Sequence, residues 1–148
     1  MSDTDALLQR LQDERACEAL IHAFCFRLDH GESAQVVELF SEDGVFDRRG
    51  EALQGRAAIA AAMAARPANM TTRHVCANIM LAHVSATQIT GVTYFQFFRH
   101  GPNAAPGSSS APADLLEVVG EYHDSFERTS EGWRIARRLA RAVFERKP

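Results

Sequence analysis

The sequence predicts an α+β domain, on three observations. Apolar residues in its first third recur at helical spacing. Long runs rich in Val, Ile, Thr, Tyr and Phe fill its second half. Its 148 residues are the length of one domain, read as residues 1–148 throughout. Helices first and an antiparallel meander after them is the plan in which helices cover one face of a curved sheet.

The elements follow in order. Ala16, Ala19, Leu20, Ala23 and Phe24 are spaced by three and four with charges between them, so a helix is expected over about 5–30. Asp3 or Thr4 suits its start, and Gly31 suits its C-terminal cap. Val36, Val37, Leu39 and Phe40 give an apolar side to a short second helix over 33–40. Ser41-Glu42-Asp43-Gly44 reads as a turn. Val45-Phe46-Asp47 and Glu51-Ala52-Leu53 flank Arg48-Arg49-Gly50 as a small hairpin. An alanine-rich third helix over 56–66 ends at Pro67, which cannot continue it. Residues 72–83, 87–100 and 115–128 read as long strands. The Gly/Pro/Ala/Ser segment 101–114 between the last two reads as a mobile loop. Thr129-Ser130-Glu131-Gly132 turns the chain into a last strand beginning at Trp133.

Composition narrows the function. With 46% hydrophobic and 24% charged residues the chain has enough apolar mass for a core, so general disorder is excluded. No apolar run approaches the ~20 residues of a membrane helix. A net charge of −3 argues against a nucleic-acid partner. The arginines of the tail (Arg134, Arg137, Arg138, Arg141, Arg146, with Lys147) read as a solvated strand face or cross-strand ion pairs. Cys17, Cys25 and Cys76 are odd in number and lack CxxC spacing, so neither a disulfide framework nor a zinc site is expected. Free thiols in a reducing cytoplasm fit better. The polar, acidic N-terminus shows no signal segment. No HExxH, GxSxG, P-loop or dinucleotide-binding pattern occurs, so neither a metal site nor a cofactor is expected. His22, His83, His100 and His123 are read as bystanders.

LDHGESAQVVELFSEDGVFDRRGEALQGRAAIAAAM, then TTRHVCAN, then YHDSFERTSEGWRIARR, taken in order and spacing, resemble the SnoaL-like branch of the nuclear transport factor 2-like superfamily. The resemblance runs from about residue 10 to 145. It implies a cone: a bent antiparallel or mixed sheet wrapped by three N-terminal helices, open at one end, with the cavity as active site or ligand pocket. Such families include scytalone and bile-acid dehydratases, ketosteroid isomerase, polyketide cyclases, limonene epoxide hydrolase and the small subunits of ring-hydroxylating dioxygenases. Others only bind or scaffold, so fold leaves function open. Similar proteins pair through the outer sheet face, which implies a homodimer.

Asp29 and His74 fall in the slots of the dehydratases' carboxylate and histidine. If both face the interior, Asp29 holds one imidazole nitrogen and the other moves a proton. The competing readings are a helix-end carboxylate and a strand histidine satisfied by backbone or water. Phe24 and Phe46 stand where those enzymes carry a tyrosine, Phe97 where bile-acid dehydratase has an acid, and Thr93 where scytalone dehydratase has a second histidine. What remains is a minimal acid–base pair. A second pair, Asp47 and Asp124, resembles the two carboxyls of ketosteroid isomerase and needs a dry cavity shared by both. Its competing readings are a hairpin ion pair for Asp47 and a solvent-facing or arginine-paired Asp124.

Strand alternation sorts the walls. If His74 points inward, so do Cys76 and Asn78. Thr93, Phe95, Phe97 and Arg99 share one face of the next strand, and Tyr122, Asp124 and Phe126 one face of the third. Such an aromatic pocket suits a small hydrophobic, aromatic or polycyclic hydroxylated ligand, with Tyr122 as its phenol; plain core packing is the alternative. The leading expectation is a lyase, by water loss or another β-elimination, or an isomerase. The alternatives are a ligand-binding or scaffold protein, a dioxygenase small-subunit relative, or a steroid-isomerase-type proton shuttle.

Overall fold

The computed structural model describes residues 2–101 and 116–146. Beyond Gly101, the segment expected to be a mobile loop lies outside the described residues. Helix α1 spans Asp3–Asp29, a 3-10 helix spans Ser33–Leu39, and α2 spans Gly55–Ala64. Six strands follow or intervene: β1 Phe40–Arg48, β2 Glu51–Gln54, β3 Thr71–Ser85, β4 Gln88–His100, β5 Val118–Thr129 and β6 Gly132–Glu145.

Helix α1 is capped one residue before Asp3 and two before Thr4, the caps expected from sequence. Ser2 caps it: its hydroxyl accepts the Asp5 N–H, and the Asp5 carboxylate accepts the Ser2 N–H. It ends as expected at Gly31, whose φ of +77° lets the Glu32 N–H reach back to the Arg27 carbonyl. One stripe is buried: Asp13, Cys17, Ile21, Phe24, Cys25 and Leu28. That stripe packs on the sheet, so Asp29 arrives at the sheet's edge at the end of an anchored helix.

Within the sheet the order is β2-β1-β6-β5-β4-β3. All neighbours are antiparallel except β1 and β6, which run parallel. The sheet is therefore mixed and unclosed, with helices on its inner face. Ser41–Gly44, expected as a turn, lies inside β1, where the register with β6 shifts between Phe40 and Val45. The turn-forming residues make a bulge instead. A Cβ on Gly44 would sit 2.9 Å from the Ser41 carbonyl oxygen, so glycine is required there.

A second irregularity alters the walls. Asn78 adopts φ +52° at a register shift between Ala77 and Met80, and it is exposed. Strict alternation predicted it inward; the bulge turns it out and brings Ile79 and Leu81 against the core instead. Arg99, expected on the same face as Phe97, is solvated at the strand end and pairs with Glu117 at 2.6 Å. On β5 alternation holds, with Val118, Gly120, Tyr122, Asp124 and Phe126 all buried. No described helix is long and apolar enough to cross a membrane.

Candidate active site

Asp29 and His74 meet. The His74 ring nitrogen Nδ1 lies 2.7 Å from Asp29 Oδ1, and the His74 backbone N–H donates to Oδ2, also at 2.7 Å. The side chains are 4% and 8% exposed, so the pair is nearly desolvated. The Thr72 hydroxyl donates to Oδ1 at 2.8 Å, and Arg66 Nη2 donates to the Thr72 hydroxyl at 2.8 Å. Burial pushes the Asp29 carboxyl up. The hydrogen bonds and charge of His74, with Thr72, outweigh burial and hold it below the usual carboxylate range. The carboxylate therefore stays ionised, and Nδ1–H is its natural partner. That leaves Nε2 as the imidazole nitrogen for an outside proton.

Phe97 covers one side of the imidazole, with ring centroids 4.7 Å apart. Beyond it the interior is aromatic. Phe95 stacks on Tyr122 at 4.4 Å, and Phe24 meets Tyr122 at 5.9 Å and Phe46 at 5.2 Å. Gly120 makes the stack possible, since a Cβ there would fall 2.5 Å from Phe95 Cζ. Thr93 is fully buried in the same wall, and its hydroxyl oxygen has no hydrogen-bond partner among the described residues. Burial first, and the neighbouring Cys25 thiol, push the Tyr122 phenol well above its ordinary value. It is thus a neutral hydrogen-bonding phenol.

Asp124 does not stand free in this interior. It receives both Nε and Nη2 of Arg138, at 2.8 and 2.7 Å, and neither side chain has any exposure. The guanidinium carbon lies 4.4 Å from the Phe24 ring centre and 4.2 Å from that of Tyr122. Burial alone lowers the Arg138 pKa, but Asp124 more than offsets it, so the guanidinium remains charged. Its third nitrogen group, Nη1, is buried with no hydrogen-bond partner among the described residues. Sequence reasoning placed Arg138 among the surface arginines of the tail. The signal that finds it is register: Arg138 is the cross-strand partner of Asp124, which alternation already turned inward.

The second carboxylate pair is not assembled. Phe46 packs into the core, so its chain neighbour Asp47 projects to the opposite face of β1. There it accepts the Gly50 N–H at 2.8 Å and lies 3.7 Å from Arg137. It is a hairpin carboxylate, separated by the sheet from Asp124. Among the described residues no three His, Cys, Asp or Glu side chains gather to hold a metal ion.

The arrangement offers an imidazole held by a carboxylate, a fixed buried cation with an unused N–H group, and aromatic walls between them. Such groups can remove or deliver a proton at Nε2 and steady developing negative charge.

A sequence profile of the SnoaL-like domain matches residues 9–139. No protein with a curated description matches the chain. Among solved structures, a nuclear transport factor 2-like protein with a cystatin-like fold from Novosphingobium aromaticivorans superposes with a TM-score of 0.80 at 24% identity. That match covers 95% of this chain and 88% of the other. A scytalone dehydratase-like protein from the same organism gives 0.78 at 20% identity, covering 95% and 90%. The hexachlorocyclohexane dehydrochlorinase of Novosphingobium barchaimii gives 0.76 at 18%, covering 94% and 92%. At these identities the likeness establishes the fold, and the cystatin-like α+β expectation stands.

Proposed function

The chain belongs to the SnoaL-like domain family, and from that premise we propose that it is an acid–base lyase or isomerase working with its own side chains. The substrate is a small hydrophobic, aromatic or polycyclic hydroxylated compound, and the favoured reaction is loss of water or another β-elimination. The observation that carries this reading is the buried hydrogen bond between Asp29 and His74. In the proposed step His74 Nε2 takes the proton from the carbon next to an activating group. Asp29 keeps the ring oriented and stabilises the imidazolium that forms. The imidazolium returns the proton to the departing hydroxyl, which leaves as water. Arg138 Nη1 stabilises negative charge on the substrate oxygen. Two structural neighbours, one dehydratase-like and one dehydrochlorinase, carry names of elimination chemistry on the same fold.

A second reading, a non-catalytic ligand-binding or scaffold protein, is favoured by the mutual contacts of Phe24, Phe46, Phe95 and Tyr122, which are those of a packed core. A panel of hydroxylated aromatic and polycyclic compounds, followed by absorbance and mass for water loss, separates the two. Turnover by wild type and at least ~100-fold less by His74→Ala supports the lyase. Saturable binding without turnover supports the binder.

The same reading includes a homodimer in a reducing cytoplasm. The outer sheet face exposes Val75, Val84 and Tyr94, with Met80 72% and Phe144 70% accessible. Sedimentation as a monomer at tens of micromolar would remove the dimer.

A further inference from the structure

Cys25 and Cys76 bring their sulfurs to 3.4 Å, one from α1 and one from β3. Cys25 is one helical turn before Asp29, and Cys76 is two strand positions after His74, so the thiols stand beside the dyad on the same two elements. We propose that this pair is an oxidation site at which a peroxide closes a disulfide between α1 and β3.

A disulfide needs its sulfurs at about 2.0 Å, so closure must remove about 1.4 Å of the 3.4 Å separation. Cys76 is the half-buried member and meets the oxidant first, while Cys25 is buried behind it. Burial pushes the Cys25 thiol well above its ordinary value. Access thus favours Cys76 as the attacking thiol, and the resolving thiol is already in place.

The chemistry balances with hydrogen peroxide as oxidant. The Cys76 thiolate attacks one peroxide oxygen, the O–O bond breaks, and Cys76 sulfenic acid and hydroxide result. The hydroxide takes up the proton that the Cys76 thiol released and becomes one water. Cys25, giving up its proton, attacks the Cys76 sulfur. The S–S bond forms as the S–O bond breaks, and the oxygen leaves as a second water. Two thiols are oxidised by two electrons, and the peroxide is reduced. The product ties the last turns of α1 to the strand that carries His74 and so fixes the spacing of the dyad. The site stands whether or not the dyad is catalytic.

Cys17 supplies the internal control. It is fully buried two turns before Cys25 on α1, and burial pushes its thiol up to about 12. The reduced full chain is treated with hydrogen peroxide and weighed intact, then digested without reductant. Expected are a loss of 2 Da, one thiol left free, and a linked peptide pair containing Cys25 and Cys76. Melting should rise by about 5–10 °C and fall back with dithiothreitol. Cys17→Ser should behave as wild type, while Cys25→Ser and Cys76→Ser should not lose 2 Da. Products heavier by 16 or 32 Da without the linked pair, a covalent dimer, or a link through Cys17 would overturn the proposal. Should a serine variant not fold, the peptide map of wild type decides.

Discussion

The Asp29 carboxylate holds His74 twice, by backbone and by ring, at 2.7 Å each. One oxygen fixes where β3 runs and the other fixes how the imidazole is turned. Replacement by asparagine keeps the shape but not this grip. If the amide oxygen stays with Thr72 and Nδ1, the amide nitrogen faces the His74 N–H, donor against donor. We expect Asp29→Asn to lose about 10- to 100-fold in turnover, and His74→Ala at least ~100-fold, with ligand affinity little changed. Steady-state kinetics on a substrate from the panel reads both. An unaltered kcat in His74→Ala would end the proposed mechanism.

Thr72 is the hinge of the support. Fully buried, it receives Arg66 and donates to Asp29, so its hydroxyl is used in both directions. Thr72→Val keeps the volume and leaves two charged groups short of a partner. Stability should fall by about 1–3 kcal/mol in urea unfolding. The carboxyl of Asp29 should also titrate at higher pH than in wild type, as followed by carboxyl-carbon NMR. An unmoved titration would show that Thr72 only packs.

Asp29 and Asp13 should both contribute to the acid limb of stability. Burial raises both carboxyls, and hydrogen bonds more than reverse it: His74 and Thr72 for Asp29, Trp133, Gln9 and Arg128 for Asp13. Their folded pKa values therefore lie below the unfolded value of about 3.9. The stability they contribute is fully present above that value and is lost as pH falls through the folded pKa values. Unfolding free energy measured from pH 6 to pH 2 should drop mainly below about pH 4, and Asp29→Asn should flatten the drop. An equally steep limb in that variant would assign it elsewhere.

Much of this was legible in the sequence, for identifiable reasons. The spacing of Ala16, Leu20, Ala23 and Phe24 marks α1 as a helix, yet of that face only Phe24 is fully buried and Ala19 is exposed. The buried stripe is Cys17, Ile21, Phe24, Cys25 and Leu28, while Tyr122, Asp124 and Phe126 share the inward face of β5 as alternation predicts. Asn78 and the Ser41–Gly44 stretch could not, because a bulge shifts the period without changing residue type. Asp47 fails for a different reason: resemblance pairs it with Asp124, while its neighbour Phe46 claims the inner face. Arg138 escaped because a run of arginines looks solvated until strand register sets one of them opposite a buried aspartate. The Thr72 and Arg66 support and the Cys25–Cys76 contact bring α1, α2 and β3 together in space, and no local pattern records that.

Arg138 and Asp124 give the last prediction. Both are fully buried, and each neutralises the other, so either one alone is an uncompensated charge in an aromatic interior. Asp124→Leu and Arg138→Met should each cost about 3–5 kcal/mol, measured by urea unfolding. The double variant replaces both charges with apolar groups of similar reach and removes the desolvation of each. It should recover most of that loss, giving a coupling of at least about 4 kcal/mol in the double-mutant cycle. Its activity should not recover with its stability, because Nη1, which no group among the described residues satisfies, goes with the arginine. That split is the test of whether Arg138 is kept for the substrate or for the fold. A double variant that is stable and turns over substrate like wild type would show that the guanidinium has no part in the reaction.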